Sequence, residues 1–217
     1  YLGLLGHYEQ ALRCFERMLV IAHELGDVEW ENVARENAGI ALMALGCYQQ
    51  SQDYLSRAEP FLTQTGCKLQ LALVAHGQSR NYLGLEDYKA ARSAAERSLA
   101  LCREIGNCNF EIENLMVLGR VALYQGQFHR ARTHFEAAVQ VARAGDQVFD
   151  LGVQLSYLAL TYLHLGEGEK ARRLSSQSIF TLESLGPDFS FLEIVYFHHY
   201  QILARLEGAE AARLYLE

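Results

Sequence analysis

The sequence predicts an all-α fold, a solenoid of antiparallel helix pairs about five and a half repeats long. Three observations carry that prediction. A set of glycine, small and aromatic residues recurs every forty positions. The apolar residues between those markers fall at helical spacing. Only two of the 217 residues are proline, the residue that most often punctuates strands, turns and loops.

The clearest copies are Gly6-x-Tyr8-x-x-Ala11-x-x-x-Phe15 and Gly126-x-Phe128-x-x-Ala131-x-x-x-Phe135, which lie 120 residues apart. Steps of forty between them fall on Gly46, Tyr48, Ser51 and Leu55, then on Glu86, Tyr88, Ala91 and Ala95. Two further steps reach Gly166, Gly168, Ala171 and Ser175, then Leu206, Gly208, Ala211 and Tyr215, with the first aromatic lost in both. A second glycine marker stands at Gly26, Gly66, Gly106, Gly145 and Gly186, the fourth of them one position early. The repeats therefore run near 1–26, 27–66, 67–106, 107–146, 147–186 and 187–217, in a single domain.

Each repeat reads as two helices. The first ends near a Leu-Gly pair such as Leu45-Gly46 or Leu165-Gly166. The second covers roughly 17 residues, Tyr48 to Thr65 for example, or ~26 Å of helix. Ala11, Phe15, Met18 and Ala22 supply the i, i+4, i+7, i+11 rhythm of one buried face. Glycine at the helix end takes a left-handed cap, and Asp27, Asn107 and Asp146 stand where they can cap the helix that follows. Connections this short leave only antiparallel neighbours. The Ala11 column is small because helices that cross within ~8–10 Å tolerate only a small side chain at the contact, while Tyr8 and Phe15 fill the space on either side. Pro60 falls inside a second helix, where it lacks a donor and crowds the preceding turn. A kink or early break near Ala58 to Pro60 is expected there.

The array looks unfinished at both ends. Tyr1 to Leu5 forms only the tail of a first helix, and the last copy stops mid-helix on Leu214, Tyr215 and Leu216. Solenoids normally close on a polar capping repeat. Either other parts of a longer protein cover these edges or the chain pairs with itself. The chain opens on Tyr1 rather than methionine, and the expectation is a segment of something longer.

In these markers the chain resembles the tetratricopeptide repeat family. Leu118-Gly119, Gly126, Phe128, Ala131, Phe135 and Ala138 reproduce its pattern nearly completely, and Ala38-Gly39, Gly46, Tyr48, Ser51, Leu55 and Ala58 reproduce most of it. The resemblance spans essentially the whole chain. The period is forty rather than the usual ~34, similar to the long-repeat subclass of kinesin light chains, spindle-orientation adaptors, and bacterial signal-transduction ATPases and transcription activators. HEAT repeats share the length but lack the Gly-x-aromatic-x-x-Ala turn. The resemblance implies a right-handed solenoid whose first helices line a concave groove that binds a peptide or helix of another protein.

Composition narrows the function. The formal net charge is −7, which argues against direct nucleic-acid binding through a basic face. No apolar run reaches the ~18 residues of a membrane span, and the first residues carry no basic n-region of a signal peptide. The five cysteines, Cys14, Cys47, Cys67, Cys102 and Cys108, are irregularly spaced and form no CxxC. That pattern points to reduced thiols in a cytoplasmic protein rather than disulfides or zinc.

No catalytic or cofactor motif stands out. His198 and His199 are adjacent, so on a helix they point about 100° apart and do not share an ion. His129 and His134 are five apart, not the i, i+4 of a zinc pair, and the histidines read as surface or partly packed groups. Gly166-Glu167-Gly168 stands where every other copy turns, so it is a turn rather than a phosphate loop. The expectation is a binding protein without metal or cofactor, not an enzyme.

By register, the groove candidates are Glu36, His76, Met116, Ser156 and Tyr196, and one turn on Ile40, Arg80, Arg120, Leu160 and Tyr200. Arg80 and Arg120, forty apart, could grip carboxylates of an acidic peptide bidentately. Glu36 and Glu113 are the internal carboxylates that could neutralise them instead. Tyr124, His164, Tyr196 and Tyr200 offer flat amphipathic area of the kind enriched at interfaces, or else belong to the solenoid core. Three functions are carried forward. The first is a peptide-binding scaffold, read from the resemblance as a module of a larger bacterial signalling or regulatory protein. The second is a sugar or metabolite sensor of a transcription regulator. The third is self-association into a homo-oligomer through the uncovered ends.

Overall fold

The computed structural model describes residues 7–186, 192–208 and 212. Among them are ten α-helices and no strand. The first helices of the repeats are α2 (Val28–Ala44), α4 (Lys68–Gly84), α6 (Cys108–Tyr124), α8 (Val148–His164) and α10 (Leu192–Leu206). The second helices are α1 (Tyr8–Leu25), α3 (Tyr48–Thr65), α5 (Tyr88–Ile105), α7 (Phe128–Ala144) and α9 (Gly168–Glu183). The forty-residue step is kept to the residue: α2, α4, α6 and α8 start at 28, 68, 108 and 148, and α1, α3, α5, α7 and α9 at 8, 48, 88, 128 and 168. Among the described residues no helix is long and apolar enough to cross a membrane. The expectations for Tyr1 to Leu5, Ala211 and Leu214 to Leu216 fall outside the described residues.

The helices group into two compact units, 1–110 and 111–217. In the first, each helix packs on its sequence neighbours from α1 to α5, as antiparallel pairs in a solenoid do. In the second, α7, α8, α9 and α10 pack in the same succession, with α10 also against α8.

The small column behaves as its sequence predicts. Ala11, Ala91, Ala131, Ala171 and Ser51 are all buried. Across the helix pair the matching feature is a glycine. A Cβ on Gly119 would stand 2.5 Å from Phe135 Cε1, and one on Gly39 would stand 2.7 Å from Leu55 Cδ2. Each glycine thus lets the large residue of the next helix lie directly on its backbone. Polar residues in the core close on backbone carbonyls. Ser98 donates to the Ala72 carbonyl at 2.8 Å, and eighty residues later Ser178 donates to the Gly152 carbonyl at 2.6 Å. Ser51 donates to the Gly39 carbonyl at 2.6 Å and accepts from Asn81 Nδ2 at 2.8 Å.

Three local expectations need correction. Gly145 is not the left-handed cap of its repeat, because its φ is −98°. Asp146 takes that role with φ +51°, so the forty-residue register holds without a shift. Asp146 therefore does not cap α8, whose N-cap is Gln147 with no side-chain bond, whereas Asp27 and Asn107 do accept from Trp30 N and Phe110 N. Finally, α3 does not break at Pro60; it spans 18 residues, the same as α5. Leu55, Ala58 and Leu62 are almost wholly buried on its inner face, and that packing holds the helix together while Pro60 lies on the exposed side.

Candidate functional site

The first helices bury most of their surface. On α2 the half-exposed stripe runs through Val33, Asn37 and Ile40, at i, i+4 and i+7. Glu36 is one residue off that stripe and is 5% exposed. Burial pushes its carboxyl up to about 7, against a smaller opposing effect of the hydrogen bond from Gln70. His76 on α4 is also buried, edge-on to Phe110 with ring centroids 5.3 Å apart. Arg80, one turn further along α4, is half-buried.

In the second unit the candidates converge on Arg120 of α6. Its guanidinium lies 5.8 Å from the Tyr124 ring centroid and 5.7 Å from that of Tyr157, and it donates to the Tyr124 hydroxyl at 3.3 Å. Tyr124 is half-exposed and Tyr157 is buried. Tyr157 in turn stacks on Phe135 at 5.5 Å and meets His198 edge-on at 4.7 Å. The arginine thus lies against two rings, one (Tyr157) set by the core and the other (Tyr124) at the surface. Met116, one turn before it, is half-buried against that core.

The remaining candidates stand apart from this group. His164 is exposed and stacks on Phe128, with centroids 4.7 Å apart and planes 4° apart. Tyr196 is half-buried and donates to Glu183 Oε1 at 2.6 Å. That carboxylate, with burial, holds the phenol up at about 12. Tyr200 is half-buried on the next turn of α10.

Several polar groups escaped the sequence reading. His198 and His199 are not surface groups; they are 5% and 3% exposed. His198 Nδ1 is 2.7 Å from Ser156 Oγ, and His199 Nδ1 is 2.9 Å from Ser175 Oγ. Because the Ser175 hydroxyl already donates to the Arg172 carbonyl, His199 Nδ1 carries the proton of that second bond. Burial, and then the Arg120 charge, hold His198 down at about 4. Burial also lowers His199. The Ser156–His198 pair has the atoms of a nucleophile and its base, but Ser156 is 1% exposed, so no substrate carbonyl can reach it. Asp150, half-buried at the start of α8, is pushed up to about 6 by burial and by the Glu113 carboxylate. A signal for Tyr157 existed: its column holds Asn37, Gly77 and Val117 in the earlier copies, so the aromatic is a departure from the repeat.

A tetratricopeptide repeat profile matches residues 70–144. Over 139 residues the chain is 26% identical to outer dynein arm-docking complex subunit 4 of Danio rerio and 25% identical to the Homo sapiens protein. It covers 64% of its own length in both matches but only 28% and 20% of those relatives. Among solved structures, the quorum sensor NprR from B. thuringiensis superposes with TM-score 0.76 at 15% identity, over 98% of this chain and 61% of that one. RapI superposes with TM-score 0.74 at 16% identity, over 85% and 67%. A signal-transduction ATPase with a tetratricopeptide repeat sensor, from Pyrococcus horikoshii, gives 0.67 at 19%, over 96% and 35%.

Proposed function

We propose that this chain, a member of the tetratricopeptide repeat proteins, is a binding scaffold rather than a catalyst. In this reading it takes a peptide or helical segment of another protein along the face of its first helices. The partner is acidic where it meets Arg120. The observation that carries this is the clamp of Tyr124 and Tyr157 on the Arg120 guanidinium. An arginine already ordered by two rings loses little side-chain entropy when it binds a carboxylate. Arg80 holds the same position one repeat earlier, on α4 of the first unit, and would meet a carboxylate there. The resemblance to a quorum sensor and to the repeat sensor of a signal-transduction ATPase supports a signalling role; in this reading the chain is a module of a larger bacterial protein acting in the cytoplasm.

The test is titration of the captured partner against wild type, Arg120→Ala, Arg120→Glu and the Arg80→Ala/Arg120→Ala pair, at two salt concentrations. Affinity should fall with salt, because exposed charge contacts are screened over ~8–10 Å. Charge reversal should cost more than truncation, because it adds repulsion to lost attraction. Equal affinity across the series removes the arginine reading.

A second reading is a sensor whose ligand is a small sugar or metabolite; the word sensor in the names of two similar structures supports ligand sensing without naming a ligand. Calorimetry with candidate metabolites and no protein partner separates the two. A third reading, self-association, draws on Val20, Ile21, Leu25, Val28 and Trp30, all more than half exposed on α1 and α2. A concentration-independent monomer in sedimentation removes it.

A further inference from the structure

The second helices carry a charge feature that the first-helix reading does not use. Between α7 and α9, floored by α8, lies a cleft of about 490 Å³. On α8 its floor is Leu155, Leu158 and Tyr162. These residues lie at i, i+3 and i+7, on the side of the helix opposite Leu160, which is in the Arg120 column. The cleft is therefore separate from the site proposed above.

The rim is basic. Arg143 of α7 and Arg173 of α9 line the cleft from its two sides, and both are exposed. Among the described residues neither guanidinium makes an ion pair or a hydrogen bond. Gln140 and Gln177 stand beside them, also exposed, and add amide donors. The third cation, Lys170, is already engaged. It lies 3.8 Å from the Tyr162 ring centroid and 3.7 Å from Glu167. The one carboxylate in the lining, Glu136, accepts from the Tyr162 hydroxyl. Two arginines are thus left uncompensated at one cleft of a chain whose net charge is −7.

The repeat supplies its own control. The equivalent cleft 120 residues earlier, between α1 and α3, has about 470 Å³. There His23 replaces Arg143, Asp53 replaces Arg173 and Arg57 replaces Gln177. That rim is neutralised from within: Arg57 pairs with Asp53 at 3.0 Å, Arg35 pairs with Glu31, and His23 lies 3.7 Å from Glu31. The fold therefore does not require unpaired arginines at this position.

We infer that the α7–α9 cleft is a docking site for an acidic peptide segment of a partner protein, whose carboxylates span Arg143 and Arg173. The floor residues Leu155, Leu158 and Tyr162 are already buried by α8's own packing. Recognition is consequently electrostatic and salt-sensitive, with only small apolar side chains entering the cleft.

The probe is a fluorescein-labelled synthetic peptide alternating Glu with Ala and Leu, and its twin with Lys at every Glu. Anisotropy should show saturable binding of the Glu peptide that weakens with salt, and none of the Lys peptide. Each exposed charge pair is worth a factor of about 1.5–5. Arg143→Ala/Arg173→Ala should therefore weaken binding about 2- to 25-fold, and Arg143→Glu/Arg173→Glu further. Both positions are exposed, so circular dichroism should show the fold unchanged. Amide shifts on titration should map to α7 and α9, should be lost in the arginine pair, and should persist in Arg120→Ala whatever that variant does to the first-helix face. Failure of Arg120→Ala to bind the partner of the first-helix face would then be a separate result. The inference is overturned by no saturable binding, by equal binding of the Lys peptide, or by loss of the α7 and α9 shifts in Arg120→Ala. It is equally overturned if the arginine pair retains phosphatidylserine vesicles while the peptide does not bind.

Discussion

Acidification should loosen the hold of α10 on its neighbours, and His198 is the group that responds. It sits 5% exposed against Ser156 of α8, with the Tyr157 ring edge-on and Arg120 nearby. Burial first, and the Arg120 charge second, lower it from the ordinary 6.5 to about 4. A base whose folded value is depressed binds fewer protons in the folded state than in the unfolded one. Stability is therefore complete above pH 6.5 and is lost as pH falls toward 4. Two and a half pH units correspond to about 3 kcal/mol in total, of which about 2 kcal/mol is gone at pH 5. Two carboxyls work against it in the same range. Glu36, raised to about 7, and Asp150, raised to about 6, hold protons longer when folded, so their contribution falls as pH rises. A melting curve of the wild type alone mixes all three. The separating measurement is the difference in urea-unfolding free energy between wild type and His198→Gln, followed from pH 7.5 to pH 5. Gln cannot titrate, so any packing change it brings is a constant offset, and the wild type should lose about 2 kcal/mol relative to it. An NMR titration of the His198 ring should find the neutral form down to about pH 5. A midpoint near 6.5, or a difference flat with pH, would refute the reasoning.

Three further changes probe the scaffold. Ala131→Leu, at a position with no exposure, should cost about 1–3 kcal/mol by overpacking; a variant that melts like wild type would show that α7 does not cross its neighbours at Ala131. Glu86 takes φ +61° in the column where Gly46, Gly126 and Gly166 stand. Left-handed backbone costs an L-residue about 1–2 kcal/mol, so Glu86→Gly should raise stability by about 0.5–1 kcal/mol once the looser unfolded chain is counted; a lower midpoint in urea would contradict this. Pro60→Ala restores a helical donor on an exposed side of α3 and should stabilise by about 1–3 kcal/mol. No gain in Tm would mean that the proline is relieved by local distortion.

The scaffold was readable because it is written several times. Every contact that recurs at Ala11, Ser51, Ala91, Ala131 and Ala171 places the same demand on the sequence, so the register survives the loss of any single marker. Asp146 shows this: the glycine of its repeat has slipped to Gly145, yet the backbone keeps the left-handed turn at 146. Binding residues have no such redundancy. Within a column they differ from copy to copy, and a repeat average erases them. Helical phase added a second difficulty. Glu36 and Asn37 differ by about 100° around α2, and both lie within one turn of Val33 and Ile40. The period alone did not tell which of the two columns is turned outward, and the answer changes between copies: Asn37 is the more open on α2, whereas on α6 Met116 is half-buried and Val117 buried.

The adjacent histidines show how one physical fact can be read correctly and still mislead. Consecutive side chains on a helix diverge by about 100°, and that divergence rules out a shared ion for His198 and His199. It does not make them surface groups. The two directions point at two different helices: His198 meets Ser156 of α8 and His199 meets Ser175 of α9. The pair thereby ties α10 to both partners of its packing with one hydrogen bond each. Neither serine column is polar throughout. Ser156 follows Glu36, His76 and Met116, and Ser175 follows Phe15, Leu55, Ala95 and Phe135. At Ser175 a small hydroxyl replaces a core side chain; His199 fills the space it leaves and donates to its oxygen. A signal therefore existed in the sequence, as a paired exchange forty-two and twenty-four residues apart. Reading it required knowing which second helix faces α10.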